Sequence, residues 1–533
     1  MSHHDDFAFS HLPPQSEWPE FLFDLPALHY PDKLNCADEL LGNALLYPEK
    51  IALVGSTRTL TYAQLAAQVN QICHVLQEQW QLVPGNRVLL RGVNSPTLVA
   101  CILAVWKMGC IAVPSMPMLR ARELGIMLDH AQIGAALCSD DLKDELLTAQ
   151  LEFPVLKRII FYDAPDDTSS LEALAQPKPV DFTSCATHSD EICLIGFTSG
   201  TTGKPKATLH FHRDVMAICD CFPVSILKSR RDDIFIGTPP LAFTFGLGGL
   251  ALFPLRVGAT AVLLEKYNPE SLLKAIQDHK ATICFTAPTF YRQMVPLVQR
   301  YDVTSLRRTV SAGEALPVAT RSAWQQATGL QMIDGIGATE MLHIFISAAD
   351  DEIRPGATGK PIPGYQACIL DGAGQRVGPG VTGRLAVKGP TGCRYLADTR
   401  QANYVCQGWN VTGDAYEMDS DGYFWYRART DDMIISSGYN IAAPEVEEVL
   451  LQHPAVAECA VIGIADEVRG QIVKAFVVLR ADFTPDDSMK MALQNFVKET
   501  IAPYKYPRAI EFRASLPRTD TGKLQRFKLR QTR

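Results

Sequence analysis

The sequence predicts an α/β protein in two parts: a large N-terminal compound domain with parallel-rich sheets, then a small, mobile α+β C-terminal domain. Three observations predict it. At 533 residues the chain exceeds one ordinary domain. Apolar runs of strand length alternate with helical patterns through most of it. Near residue 430 that alternation gives way to a unit of different character.

The clearest helix begins at Thr61, whose hydroxyl can cap while Gln64 completes a capping box; Leu65, Val69, Ile72 and Leu76 then share one face. Residues 87–93, 158–163, 191–197, 260–265 and 282–286 read as short buried strands. Asp421-Gly422 is a turn signal before the aromatic run Tyr423, Phe424, Trp425 and Tyr426, which predicts a hairpin. Beyond it come a helix opening at Pro444, strands at 456–464 and 474–479, a helix around Leu493, Phe496 and Val497, and a strand at 509–512. The division falls between 1–430 and 431–533, with no low-complexity tether, so the joint is expected to act as a hinge.

A hydrophobic content of 47% is enough for a large core, and a formal net charge of −8 argues against nucleic-acid binding. The N-terminus lacks a basic stretch followed by an apolar one, and the apolar run 98–106 is too short to span a bilayer. The fourteen cysteines form no CxxC pair and no metal-ligand spacing. These features together predict a cytoplasmic protein with reduced thiols and no membrane or nucleic-acid partner.

One loop carries most of the chemistry. Thr198-Ser199-Gly200-Thr201-Thr202-Gly203-Lys204-Pro205-Lys206 follows a strand directly. Its glycines allow successive N–H groups to point inward, its hydroxyls add donors, and its lysines add charge, a combination suited to a polyphosphate. It is not a Walker A loop, because two residues rather than four separate the glycines and Pro205 follows Lys204.

This loop resembles the signature of the acyl-adenylate-forming superfamily, which includes acyl-CoA synthetases, firefly luciferase and peptide-synthetase adenylation domains. Further pieces follow in the family's order from about residue 50 onward. The resemblance implies binding of ATP, Mg²⁺ and coenzyme A. It implies that Thr339 and Glu340, in Gly335-Ile336-Gly337-Ala338-Thr339-Glu340, meet the α-phosphate and the Mg²⁺, and that Asp334, Gly335, Gly313 and Glu314 line the nucleotide. A carboxylate suits a hard cation, although alone a Thr-Glu pair more often starts a helix. Asp414, in Thr412-Gly413-Asp414, is implied as the ribose acceptor; alone it reads as an Asx turn.

Arg429-Thr430-Asp431-Asp432 resembles the family hinge, with Asp431 at the pivot and Arg429 reaching the ribose. Gly438 and Tyr439 match the loop that lines the thiol tunnel, and Lys523 fits the C-terminal catalytic lysine. The implied reaction is attack of a carboxylate on the α-phosphorus, loss of pyrophosphate, rotation of the small domain, and capture of the acyl group by CoA.

The acid is implied by a finer resemblance, to benzoate-type and especially 2-aminobenzoate CoA ligases. It rests on residues 333–345, 240–249 and 11–41. Phe243 stands where many relatives carry histidine, a replacement found in aryl-acid branches, while benzoate ligases often carry tyrosine where Phe245 stands. Phe243, Thr244, Phe245, Ile336, His343 and Ile344 are the expected acyl-pocket residues, and they would form an apolar slot for one ring. His343 is open to three readings: a contact to an ortho substituent, a contact to water, or a packed core histidine. Benzoate, 2-hydroxybenzoate and medium-chain fatty acids remain alternative substrates, and a carrier-protein thiol an alternative acceptor, though no carrier domain follows Arg533. The oligomeric state is open between monomer and homodimer.

A rival reading comes from Gly246-Leu247-Gly248-Gly249-Leu250-Ala251, which fits a dinucleotide fingerprint with Glu265 nineteen residues on and would make the protein an NAD(P)-dependent oxidoreductase. Pro239 and Pro240 interrupt the strand that fingerprint requires.

Overall fold

The computed structural model describes residues 3–164, 167–198, 205–429, 433–436, 439–466, 469–501, 503–518 and 524–531. Two largely parallel sheets dominate the larger part. The first has nine strands, in the order Lys360–Pro361, Ile344–Ser347, Met332–Gly337, Arg308–Ser311, Ile283–Thr286, Ile234–Gly237, Thr260–Leu263, Ile51–Val54 and Thr59–Thr61. Its middle six strands are parallel, and antiparallel strands close both ends. The second has Arg158–Tyr162, Ala135–Ser139, Arg87–Arg91, Ile111–Ser115 and Ile192–Thr198 in parallel, with Lys206–Phe211 antiparallel at its edge. Every predicted strand of this region is present.

The reason is burial on both faces. Arg87–Arg91 and Ile111–Ser115 are buried at every position, which requires a continuous apolar run rather than alternation. The apolar stretch that is too short for a bilayer becomes the helix Pro96–Lys107, buried along its whole length against those strands and the helix Tyr62–Trp80. The latter starts with the predicted Thr61/Gln64 capping box. No helix among the described residues is long and apolar enough to cross a membrane.

A third, antiparallel sheet joins Gln366–Leu370, Gly383–Lys388, Trp409–Met418 and Val405–Cys406, with Phe424–Arg429 paired to Trp409–Met418. The predicted hairpin is this last pair; Gly422 takes φ +81°, and Tyr423 belongs to the turn rather than the strand. The smaller part contains Tyr439–Ala442, Met433–Ser436, Gly470–Leu479 and Val456–Asp466 as an antiparallel sheet, with Ala509–Phe512 parallel to Gly470–Leu479. Helices Ala443–Gln452 and Asp487–Thr500 pack with it around Val446, Leu450, Leu493 and Val497.

The cysteines are core residues for the most part, and the fold brings three distant groups together. Ligand atoms of Cys36, Cys193 and His212 lie within 4.8 Å of one another, all buried. The Cys36 backbone N–H donates to His212 Nδ1 at 3.2 Å, so the imidazole already serves as a hydrogen-bond acceptor there.

Candidate active site

The loop that carries the sequence argument hangs between two paired strands: Thr198 ends one, Lys206 begins the other, and the two residues face each other in register. Ser199, Gly200, Thr201, Thr202, Gly203 and Lys204 lie outside the described residues, as do Asp431, Gly438 and Lys523. Tyr439 opens the strand Tyr439–Ala442.

The Thr339–Met341 helical turn packs directly beneath that hairpin. A Cβ on Gly196 would come within 2.8 Å of Thr339 Cγ2, so glycine is required for the close approach. From the other strand, His210 Nε2 donates to the Thr339 carbonyl at 2.8 Å. The Glu340 carboxylate is buried and accepts the Tyr395 hydroxyl at 2.5 Å. Lys206 Nζ in turn donates to the Tyr395 hydroxyl at 3.1 Å and faces the rings of Tyr395 and Tyr404.

Asp414 and Arg429 are cross-strand partners on the third sheet, and Arg429 Nη1 donates to Asp414 Oδ1 at 3.0 Å. Burial pushes the Asp414 carboxyl up, Arg429 opposes this, and the charge of Glu340 adds to the rise, which places the two carboxylates in one electrostatic neighbourhood. Gly313 turns with φ +87°, and Glu314 accepts both the Thr289 N–H and its hydroxyl, at 3.2 and 2.7 Å. Asp334 and Gly335 lie on the strand Met332–Gly337; burial raises Asp334 to about 7, against the pull of Arg321 at 4.0 Å.

The expected acyl-pocket residues divide. Phe245 and His343 meet, with ring centroids 5.8 Å apart, in a cluster that includes Phe222, Phe253 and Phe285. Phe243 caps the short helix Thr244–Leu247, and both it and Thr244 are half-buried. Ile336 is half-buried against the core, whereas Ile344 is buried and its side chain fills the space beside Gly335. His343 is only 2% exposed, and burial lowers its imidazole to about 3. The Phe245 backbone is the one neighbour favouring its charged form, yet neither ring nitrogen makes a hydrogen bond of good geometry among the described residues. Leu342, at φ +67°, ψ −31°, makes the reversal just before it, an unusual conformation for a residue with a side chain.

The glycines of the dinucleotide-like run serve packing. Residues 244–257 are helical throughout, and Cβ atoms on Gly248 and Gly249 would strike His343 and Phe285 at 2.5 and 2.7 Å. The glycines therefore lie inside the helical stretch rather than in a turn between strand and helix where a pyrophosphate would sit, and the oxidoreductase reading falls with it.

Sequence reasoning missed Tyr395, His210, Asp214, Arg394 and Thr289. Arg394 and Tyr395 are adjacent but form no motif with their partners, and the four-residue spacing of His210 and Asp214 gives no helical signal because His210 lies in a strand and Asp214 in a helix.

The signature described as "AMP-binding enzyme" matches residues 42–395, and "AMP-binding enzyme C-terminal domain" matches 445–523. The chain belongs to the AMP-binding enzyme family. A benzoate–CoA ligase of Thauera aromatica is 35% identical over 516 residues, 95% of this chain and 97% of the relative. Among solved structures, the anthranilate CoA ligase AuaEII in complex with anthranoyl-AMP aligns with TM-score 0.90 at 34% identity, covering 95% of this chain and 98% of that one. A benzoate CoA ligase from Burkholderia xenovorans LB400 aligns with TM-score 0.85 at 31% identity, covering 93% and 100%. The enzyme is an AMP-forming acyl-CoA synthetase, and its substrates are accordingly ATP, a carboxylic acid and CoA.

Proposed function

We propose that this synthetase activates an aromatic acid, 2-aminobenzoate in the first instance, as its adenylate and then transfers the acyl group to CoA. The observation that carries the choice of acid is His343. The rings of Phe222, Phe245 and Phe253 pack around His343, an environment that suits one aromatic ring, and an imidazole with no well-formed hydrogen bond among the described residues would offer a polar edge to a ring substituent. The similarity to aryl-acid ligases along nearly the whole chain supports the same reading.

In this reading Thr198–Lys206 orients the β- and γ-phosphates, with N–H groups and cations fixed in place before charge develops. Asp414 and Arg429 receive the ribose hydroxyls, Glu314 and Asp334 flank the adenosine, and Thr339 meets the α-phosphate. Glu340 fits a Mg²⁺ site: it is a buried carboxylate in which Oε1 is engaged by Tyr395, and no hydrogen bond to Oε2 is formed among the described residues. When bound, the ion supplies countercharge to the phosphate oxygens. Lys523 bridges the acid and the α-phosphate. The segment 431–533 then turns about Asp431, which withdraws Lys523 and brings Gly438 and Tyr439 to the thiol path.

A pyrophosphate-release screen tests the substrate. The highest kcat/KM is expected for 2-aminobenzoate, ahead of benzoate and 2-hydroxybenzoate; preference for a medium-chain fatty acid overturns the aryl reading. Lys523→Ala is expected to abolish adenylation yet retain thioester formation from supplied acyl-adenylate. Equal loss of both half-reactions would remove Lys523 from its assigned role.

A further inference from the structure

Two consecutive residues, Arg394 and Tyr395, reach the Thr339–Glu340 pair by separate routes. Residues 394–396 run beside the strand Lys206–Phe211: Leu209 N–H donates to the Arg394 carbonyl at 2.8 Å, Leu396 N–H to the Ala207 carbonyl at 2.9 Å, and Thr208 bridges Tyr395. Side chains of adjacent residues on such a segment diverge. Arg394, fully buried, forms an ion pair with fully buried Asp214. Asp214 Oδ2 lies 3.8 Å from His210 Nδ1, an electrostatic approach too long for a hydrogen bond, and His210 Nε2 donates to the Thr339 carbonyl. Because a carbonyl oxygen only accepts, Nε2 carries the proton. By the other route, the Tyr395 hydroxyl accepts from Lys206 and donates to Glu340 Oε1.

We propose that Arg394 and Tyr395 are positioning residues for adenylation, Tyr395 by aiming the Glu340 carboxylate and tying it to Lys206, Arg394 by fixing Thr339 through Asp214 and His210. The proposal rests on the reading of Glu340 as the residue that meets the Mg²⁺ of the nucleotide. Its chemistry is that of an outer partner. A carboxylate with one oxygen held by a phenol cannot rotate freely, so the other oxygen has a fixed direction. A phenol suits the role because it accepts from the ammonium and donates to the carboxylate at once, relaying loop position to the metal side without a net charge of its own. Phenylalanine at 395 would keep the ring that Lys206 and Tyr404 pack against and remove only the relay.

The test compares Tyr395→Phe with the full-length enzyme in three measurements. The Mg²⁺ concentration for half-maximal ATP–pyrophosphate exchange is expected to rise about tenfold, the usual scale for loss of an outer partner. Mn²⁺ binding in the presence of ATP, followed by electron paramagnetic resonance, should weaken to match. Thioester formation from supplied acyl-adenylate should stay at the wild-type rate. An unchanged metal requirement, or equal loss in both half-reactions, overturns the proposal for Tyr395. If Tyr395→Phe fails to fold, the Thr339 route decides: His210→Gln keeps an N–H for the Thr339 carbonyl and should retain adenylation, whereas His210→Leu should lose it. Equal activity of these two overturns the proposal. Should Glu340→Gln itself leave the Mg²⁺ requirement unchanged, the underlying assignment of Glu340 fails instead.

Discussion

Three residues separate Thr339 from His343, and they divide two kinds of construction. On the proposed phosphate side, Lys206, Glu340, Asp214 and Arg394 are each held by a charged or hydrogen-bonding partner. On the proposed acid side, His343 is enclosed by Phe222, Phe245 and Phe253, and its nitrogens make no well-formed hydrogen bond among the described residues. The difference follows from the ligands. A triphosphate presents the same charges in every turnover, so its side needs fixed polar groups, each braced by another. An aromatic acid presents chiefly a shape, so its side is set by packing, with few polar atoms to discriminate between rings.

The largest effect should come from breaking the braced side. Burial alone would raise the Asp214 carboxyl, but Arg394, with help from His210, holds it below its ordinary range. Asp214→Ala leaves the Arg394 guanidinium buried without its counter-ion, which costs about 3–5 kcal/mol. Urea unfolding at neutral pH should show that loss together with a fall in pyrophosphate exchange. A cost under about 1 kcal/mol, the range of a surface pair, would mean that the phosphate side is held by something other than this ion pair.

The acid side should respond with the opposite sign. His343→Leu replaces a buried imidazole that makes no well-formed hydrogen bond among the described residues with an apolar side chain, so stability should hold or rise by about 1 kcal/mol. Selectivity should fall at the same time: the ratio of kcat/KM for 2-aminobenzoate over benzoate is expected to drop about tenfold, the scale of one lost polar contact. If His343→Leu destabilises the protein as much as Asp214→Ala, the contrast between the two sides is wrong, and His343 is a braced residue too.

The same division governs what the sequence discloses. The parallel strands and the Thr61-capped helix were legible because burial and capping are local patterns. The loop from Thr198 to Lys206, Thr339-Glu340 and Asp414 could be singled out because each stands in a short motif. Arg394 and Tyr395 were not: Asp214 is 180 residues from Arg394, and Glu340 is 55 from Tyr395. Their partnership exists only because residues 394–396 lie against the strand Lys206–Phe211. The Cys36–Cys193–His212 cluster escaped for the same reason, since no spacing joins its members. Of the residues proposed for the acid pocket, Phe245 and His343 meet, whereas the Ile344 side chain packs beside Gly335 in the core. Hydrophobicity alone does not distinguish a wall from a filling.

Asp334 lies on the seam between the two sides, and it offers the smallest and most graded test. It shares the strand Met332–Gly337 with Ile336, and its one charged partner, Arg321, is 4.0 Å away. Burial raises its carboxyl from 3.8 to about 7 against that pull. Between those values the unfolded chain has released a proton that the folded protein keeps. Stability therefore falls as pH rises through the window, by at most about 1.4 kcal/mol per pH unit. Asp334→Asn has no such proton, so its melting temperature minus that of the wild type should climb by a few degrees from pH 5 to pH 7.5 and level off above that. A difference that stays flat would show Asp334 ionised across the range, with Arg321 bracing it as firmly as Arg394 braces Asp214. The seam would then belong to the proposed phosphate side, and the contrast would narrow to the ring cluster around His343.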